Sequence, residues 1–204
     1  MSKVTFHGDS ISGNCYKLKL AATQLGIDYD WNEIDILAGE SRTPEFLAMN
    51  PNGKVPLMEL PDGRCLAESN AILSWLADGT AMAGGDRYGR ASVLSWMCFE
   101  QYSHEPYVAT ARFIVRYLGN PEDRQDDLAA KQKAGYRALA VMDQHLAEHD
   151  FFANDAYSIA DIALFAYTHV ADEGGYDLSN YKNVNAWMER VRATDRFVPM
   201  SDGH

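Results

Sequence analysis

The chain reads as two successive folds: an α/β half with strand and helix patterns in the order βαβαββα over residues 1–77, then an all-α half over residues 87–204. Two observations predict this. Short β-branched and aromatic runs alternate with helix-period runs only as far as Ala77, and beyond a glycine-rich stretch at 78–86 no strand pattern recurs. A chain of 204 residues, 47% hydrophobic and without low-complexity sequence, can bury one large core or two modest ones.

Taken in order, Val4-Thr5-Phe6-His7 has strand composition, and a Gly/Ser/Asp loop from Gly8 to Gly13 feeds the helix pattern Tyr16, Leu18, Leu20, Ala21, Leu25, which stops at Gly26. A second strand is expected over 29–36, parallel to the first because a helix separates them. Thr43-Pro44-Glu45 carries an N-cap, a first-turn proline and a first-turn acid in sequence, which starts a short helix ending at Met49. Leu57-Met58-Glu59-Leu60 and Cys65-Leu66-Ala67 are strand-like runs joined by Pro61-Asp62-Gly63, a hairpin. The periodic run Ala71, Ile72, Leu73, Trp75, Leu76, Ala77 closes the half as a helix. This layout looks like a thioredoxin-like domain.

Past the linker expected at 78–86, helices are expected over 87–118, 123–149, 159–170 and 184–192. Leu128, Gly135, Leu139, Met142 and Leu146 lie along one face of the second, and Val184, Trp187, Met188 and Val191 form an i, i+3, i+4, i+7 stripe on the last. Pro106 falls inside the first of these helices, removes the donor for the Tyr102 carbonyl and predicts a bend there. Ser158-Ile159-Ala160-Asp161 is read as a capping box rather than as a catalytic acid.

The stretch Asn50 to Asn70, NPNGKVPLMELPDGRCLAESN, carries the functional signal. Asn52-Gly53 makes a turn, and Pro56 gives up a donor at the start of a strand, so Val55 is expected on an open edge with its backbone N–H and C=O available to an extended peptide. Glu68-Ser69 stands at a helix N-terminus, where carboxylates bind. A peptide-like ligand with more than one carboxylate fits both features.

NPNGKVP followed by ESNAI resembles the glutathione-binding half of the cytosolic glutathione S-transferase family, in its bacterial serine-type subgroup, and the resemblance spans nearly the whole chain. It implies that Val55 pairs by its backbone with the cysteinyl unit of glutathione, that Pro56 follows a cis bond, and that Glu68 and Ser69 hold the γ-glutamyl end. It further implies a homodimer that conjugates glutathione, as co-substrate, to a small hydrophobic electrophile. Lys54 is the nearest cation for the glycyl carboxylate; Arg42 is a looser candidate. The acceptor side of the family's site is built largely from the first helix of the helical half, which points to Tyr102, His104, Tyr107 and Arg112, with Phe165 beside them.

Glutathione attacks as its thiolate, and a thiol of pKa near 8.5 is only about 3% ionised at pH 7. A hydroxyl donor and the positive end of a helix both lower that pKa, and Ser12-Gly13-Asn14 offers both where the first helix begins. The resemblance favours Ser12 as the catalytic donor, because the family places a basic residue five positions after it and Lys17 stands there. Asn14, whose amide also donates, is its rival. Cys15 supports an alternative activity, glutathione-dependent thiol or disulfide oxidoreduction, and a non-catalytic transferase-like binding protein is a third reading.

Composition narrows the partners. A net charge of −11 disfavours nucleic acid, whose phosphates need a basic face, and disfavours an anionic membrane surface. Cys15, Cys65 and Cys98 show no CxxC spacing and the six histidines no ligand spacing, so no metal and no disulfide framework are expected. Met1-Ser2-Lys3 leads directly into a strand pattern without an apolar signal core, so a cytoplasmic location is expected.

Overall fold

The computed structural model describes residues 3–200. Four strands, β1 (Val4–Gly8), β2 (Tyr29–Glu33), β3 (Leu57–Glu59) and β4 (Cys65–Ala67), form one mixed sheet in the order β2-β1-β3-β4. β1 and β2 are parallel, with Val4 opposite Tyr29, because α1 (Gly13–Leu25) carries the chain back between them. β1, β3 and β4 pair antiparallel, with Phe6 opposite Met58 and Met58 opposite Leu66. α2 (Pro44–Met49) begins as expected, with Thr43 Oγ1 accepting from Phe46 N at 3.3 Å, and α3 (Ser69–Ala77) follows β4 directly.

Period-two alternation sorts the sheet into two faces. On one, Val4, Phe6 and Met58 are buried, as are Leu18, Ala21, Ala22, Ile72, Leu73 and Leu76 along α1 and α3, which pack against each other. On the other, Ile34, Phe46 and Leu57 form a core joined by Ile36, Met49, Val55, Cys65 and Ala67. Gly26 ends α1 in the left-handed region, φ 67°, as its position predicted.

Cys15 belongs to this interior. It is fully buried, its Sγ would stand 2.9 Å from a Cβ added at Gly8, and burial pushes its thiol up to about 12, against the lowering effect of the Ser12 side chain and the Asp9 backbone. A fully buried thiol with a raised pKa is a poor thiolate nucleophile, which weighs against the Cys15 route to disulfide chemistry.

The described residues form two compact units, one of residues 3–78 and 195–200, the other Gly79–Thr194. Residues 195–200 thus join the first unit rather than the helical half to which the sequence assigned them. Tyr16 Oη donates to the Val198 carbonyl at 2.7 Å, and the Arg196 guanidinium lies against Gly26.

In the second unit the stretch expected as a linker is structured, with a 3-10 turn at Ala81–Ala83 and Asp86 capping Gly89 N at 2.7 Å. The helix expected over 87–118 is divided into α4 (Arg87–Phe99), a π turn (Glu100–His104), α5 (Glu105–Arg112) and a second π turn (Phe113–Tyr117). Pro106 accounts for the first π turn: it cannot donate into the preceding turn, and the chain widens there, Glu105 N reaching back to Glu100 O. α6 (Gln125–Leu146), α7 (Ile159–Thr168) and α8 (Lys182–Arg192) complete the bundle.

α7 is buried along its whole length, and Asp161 fixes its start. Its Oδ1 accepts from Phe152 N at 3.2 Å and Trp187 Nε1 at 3.0 Å, and its Oδ2 from Ser158 N at 2.9 Å and Ser158 Oγ at 3.0 Å, a capping box tied to α8. Burial raises its carboxyl to about 6, opposed by those donors.

Asp161→Ala should cost roughly 3 kcal/mol or more in denaturant unfolding, since it strands several buried donors, whereas Ser158→Ala should cost about 1 kcal/mol. Because the folded-state value of Asp161 lies above the unfolded one, ionisation opposes folding, and the margin of wild type over Asp161→Asn should narrow as pH rises from about 4 through about 6. A thiol reagent applied to native protein should modify exposed Cys98 first and Cys15 only after unfolding; native labelling of Cys15, read by mass spectrometry, would contradict its placement.

Candidate functional site

Of the expected glutathione-side residues, Ser12 and Asn14 stand at the amino end of α1 and Glu68 and Ser69 at that of α3, joined by a hydrogen bond, while Lys54, Val55 and Pro56 lie just before β3. Asp9 shapes the approach to α1: its Oδ1 accepts from Ile11 N at 3.0 Å and its carbonyl from Ser12 N at 3.0 Å. Glu33, at the end of β2, holds the same loop by accepting from Ser10 N at 2.8 Å. Ser12 then stands at the N-cap in extended conformation, φ −78° and ψ 127°, yet its hydroxyl makes no cap bond, and its side chain acts to lower the raised pKa of the buried Cys15 thiol.

α3 opens beside α1. Ser69 Oγ donates to Asn14 Oδ1 at 3.2 Å and accepts from Lys17 Nζ at 3.3 Å, and Lys17 Nζ also reaches Asn70 Oδ1 at 3.4 Å. The sequence supplied Lys17 only as a spacing mark and passed over Asn70 entirely. The signal for both was available in principle, since a lysine on the apolar face of a helix demands a partner, but which partner depends on how α1 meets α3.

Glu68, the N-cap of α3, is exposed and holds φ 69° and ψ 113°, a left-handed conformation that costs a glutamate about 1–3 kcal/mol. The residue that follows it, Ser69, directs its hydroxyl to Asn14 at the start of α1. Nothing local in ESNAI announces it.

The expected open edge at Val55 is corrected in its cause. β3 is an interior strand, covered by β1 and β4, so it offers no edge. Val55 lies in a bend before β3, beyond the last ladder pair Leu57–Ala67, with its side chain packed on the Ile34–Phe46–Leu57 core. Among the described residues its backbone N–H and C=O make no hydrogen bond. Val55–Pro56 is cis, as the resemblance implied.

Asn50 builds this segment: buried, it donates from Nδ2 to the Lys54 carbonyl at 2.8 Å and accepts from Asn52 N at 3.2 Å. Gly53 is required by both its φ of 59° and its closeness to the Ser41 carbonyl, 2.9 Å from where a Cβ would lie. Lys54 is exposed beside Val55, while Arg42 is turned to the Asn52 carbonyl at 3.1 Å and so serves the turn.

The acceptor-side residues do not behave as a set. Tyr102 is 84% exposed and Tyr107 half-buried, with Lys131 Nζ 5.8 Å from its ring centre. The other three are interior. His104 is buried with Nε2 donating to Thr168 Oγ1 at 3.0 Å, since that hydroxyl itself donates to the Leu164 carbonyl. Arg112 is buried against Glu173, Nε to Oε2 2.8 Å, and Phe165 is stacked on His169 with centroids 4.6 Å apart and faces Trp187 edge-on. Their burial corrects the expectation that all five line a cleft: His104, Arg112 and Phe165 hold the helical unit together. Among the described residues no group of His, Cys, Asp and Glu is placed to hold a metal, and no helix is long and apolar enough to cross a membrane.

Comparison with known proteins agrees with the arrangement. Residues 11–78 match the family model described as glutathione S-transferase, N-terminal domain, and residues 95–195 the one described as glutathione S-transferase, C-terminal domain. A crystal structure of a glutathione S-transferase from Pseudomonas fluorescens Pf-5 is 54% identical, with a TM-score of 0.96 over 98% of this chain and 100% of that one. The family's range of uses is visible in more distant relatives. The disulfide-bond oxidoreductase YfcG of Escherichia coli is 27% identical over 88% of this chain and 86% of its own length. Elongation factor 1-gamma of Artemia salina is 29% identical over 85% of this chain, which spans only 40% of that protein. With its two-part fold and its paired helix ends, the chain belongs to the glutathione S-transferase family.

Proposed function

We propose that the protein is a glutathione transferase that adds the thiolate of glutathione to a small hydrophobic electrophile, and that it works as a homodimer. The observation that carries this reading is the 3.2 Å hydrogen bond from Ser69 to Asn14, which sets the carboxylate-receiving end of α3 beside the sulfur-receiving end of α1. Glutathione lies along Val55, whose backbone N–H and C=O pair with the cysteinyl unit. Its γ-glutamyl group meets Glu68, Ser69 and the first N–H groups of α3; its glycyl carboxylate meets Lys54.

The sulfur comes to the start of α1. There the helix dipole and the Ser12 hydroxyl stabilise the thiolate, with the Asn14 amide alongside. Lowering the thiol pKa by two units is worth about 2.7 kcal/mol and makes thiolate the majority species at neutral pH. Cys15 stays out of the reaction: burial keeps its thiol raised to about 12, so the thiolate at this helix start is that of the ligand. The remaining rate enhancement is orientation of the two reactants.

The test is direct. Wild-type protein should be retained on immobilised glutathione and turn over a generic aromatic electrophile; retention without turnover would make it a binding protein of the family, and absence of both would end the reading. Ser12→Ala should raise the pH of half-maximal rate by about one to two units while glutathione affinity stays nearly constant. An unchanged pH profile in Ser12→Ala, together with a shifted one in Asn14→Ala, would transfer the role to Asn14.

A further inference from the structure

Lys17 is fully buried, on the face of α1 that meets α3. Taking an ammonium out of water costs several kcal/mol, and a methionine could fill similar space without that cost. Its position also fixes the direction of the bonds around it. An ammonium can only donate, so Ser69 Oγ must accept from Lys17, and the serine proton is directed outward, to Asn14 in this structure. The second bond, to Asn70 Oδ1, pins the next residue of α3.

We propose that Lys17 is a positioning residue for the α-carboxylate of the γ-glutamyl group: it aims the Ser69 hydroxyl at that carboxylate and places a buried positive charge beneath the amino end of α3. This rests on the glutathione reading above. Lys17 does not touch the ligand. It acts through Ser69 and Asn70, so that the carboxylate meets a pre-aimed hydroxyl, the helix N–H groups and a charge behind them, all fixed before it arrives. The ligand carboxylate takes over the serine proton that Asn14 accepts here, which links occupation of the γ-glutamyl end to the orientation of a group beside the sulfur.

The experiment compares two ligands by calorimetry, glutathione and γ-aminobutyryl-cysteinylglycine, which keeps the amine, thiol and glycyl end but lacks the α-carboxylate. Lys17→Met should weaken glutathione by about tenfold or more and the analogue by less than about twofold, so that the affinity ratio collapses. On a Ser69→Ala background the same substitution should change the ratio by less than it does in the wild type, because the route through the hydroxyl is already cut and only the charge remains to be lost. If Lys17→Met does not fold, Lys17→Gln, which keeps a donor and loses the charge, is read by the same ratio. An unchanged ratio, or equal weakening of both ligands, overturns the assignment while leaving the glutathione reading intact; failure of the wild type to bind glutathione defeats that reading instead.

Discussion

Two helices that begin side by side are the constraint on which the first unit depends. α1 and α3 share one face of the sheet, and their amino ends are joined by the chain Lys17–Ser69–Asn14. Each end carries partial positive charge from unpaired N–H groups, and bringing two such ends together is unfavourable unless something negative or strongly accepting lies between them. Here Asn14 Oδ1, Asn70 Oδ1 and Ser69 Oγ supply that in the folded protein. The same geometry suits a ligand with a carboxylate at one end and an ionising sulfur near the other.

Around that junction the chain accepts local costs in several places. Glu68 holds a conformation glutamate avoids, Lys17 is kept out of water, and Gly53 is folded tightly over the Ser41 carbonyl. Costs of this kind also occur elsewhere, at Asn154, Asp155 and Arg196 with positive φ, so a ligand site and a packing arrangement are told apart by what the costs position. Cys15 shows how close the two lie. It is an ordinary buried thiol against Gly8, and through Ser12 it still belongs to the site.

The helical unit resolves its own polar residues inwardly. Asp161 joins the start of α7 to the Phe152 amide and to Trp187 on α8, His104 is tied to Thr168, and Arg112 is paired with Glu173. Each is a buried group given a partner, as the cost of burial requires. The π turn before Pro106 is similar in kind: a missing donor is absorbed by widening one turn, and α5 continues beyond it. A cluster of polar and aromatic residues at a kink is therefore no sign of a ligand cleft in itself.

Element order, the break near residue 78, the caps at Thr43 and Ser158 and the stop at Gly26 were legible in the sequence, because each depends on neighbours within a few residues. So were Ser12, Val55, Glu68 and Ser69 as candidates, through the motif they stand in. The tertiary structure alone decided that Lys17 and Asn70 join them, that the Val55 backbone is left unpaired by lying beyond the ladder's end, that residues 195–200 return to the first unit, and that His104, Arg112 and Phe165 are interior. Those outcomes turn on contacts between residues tens of positions apart and on which face of a helix meets a neighbour, and a one-dimensional pattern fixes the period of a helix but not the partner its faces will find.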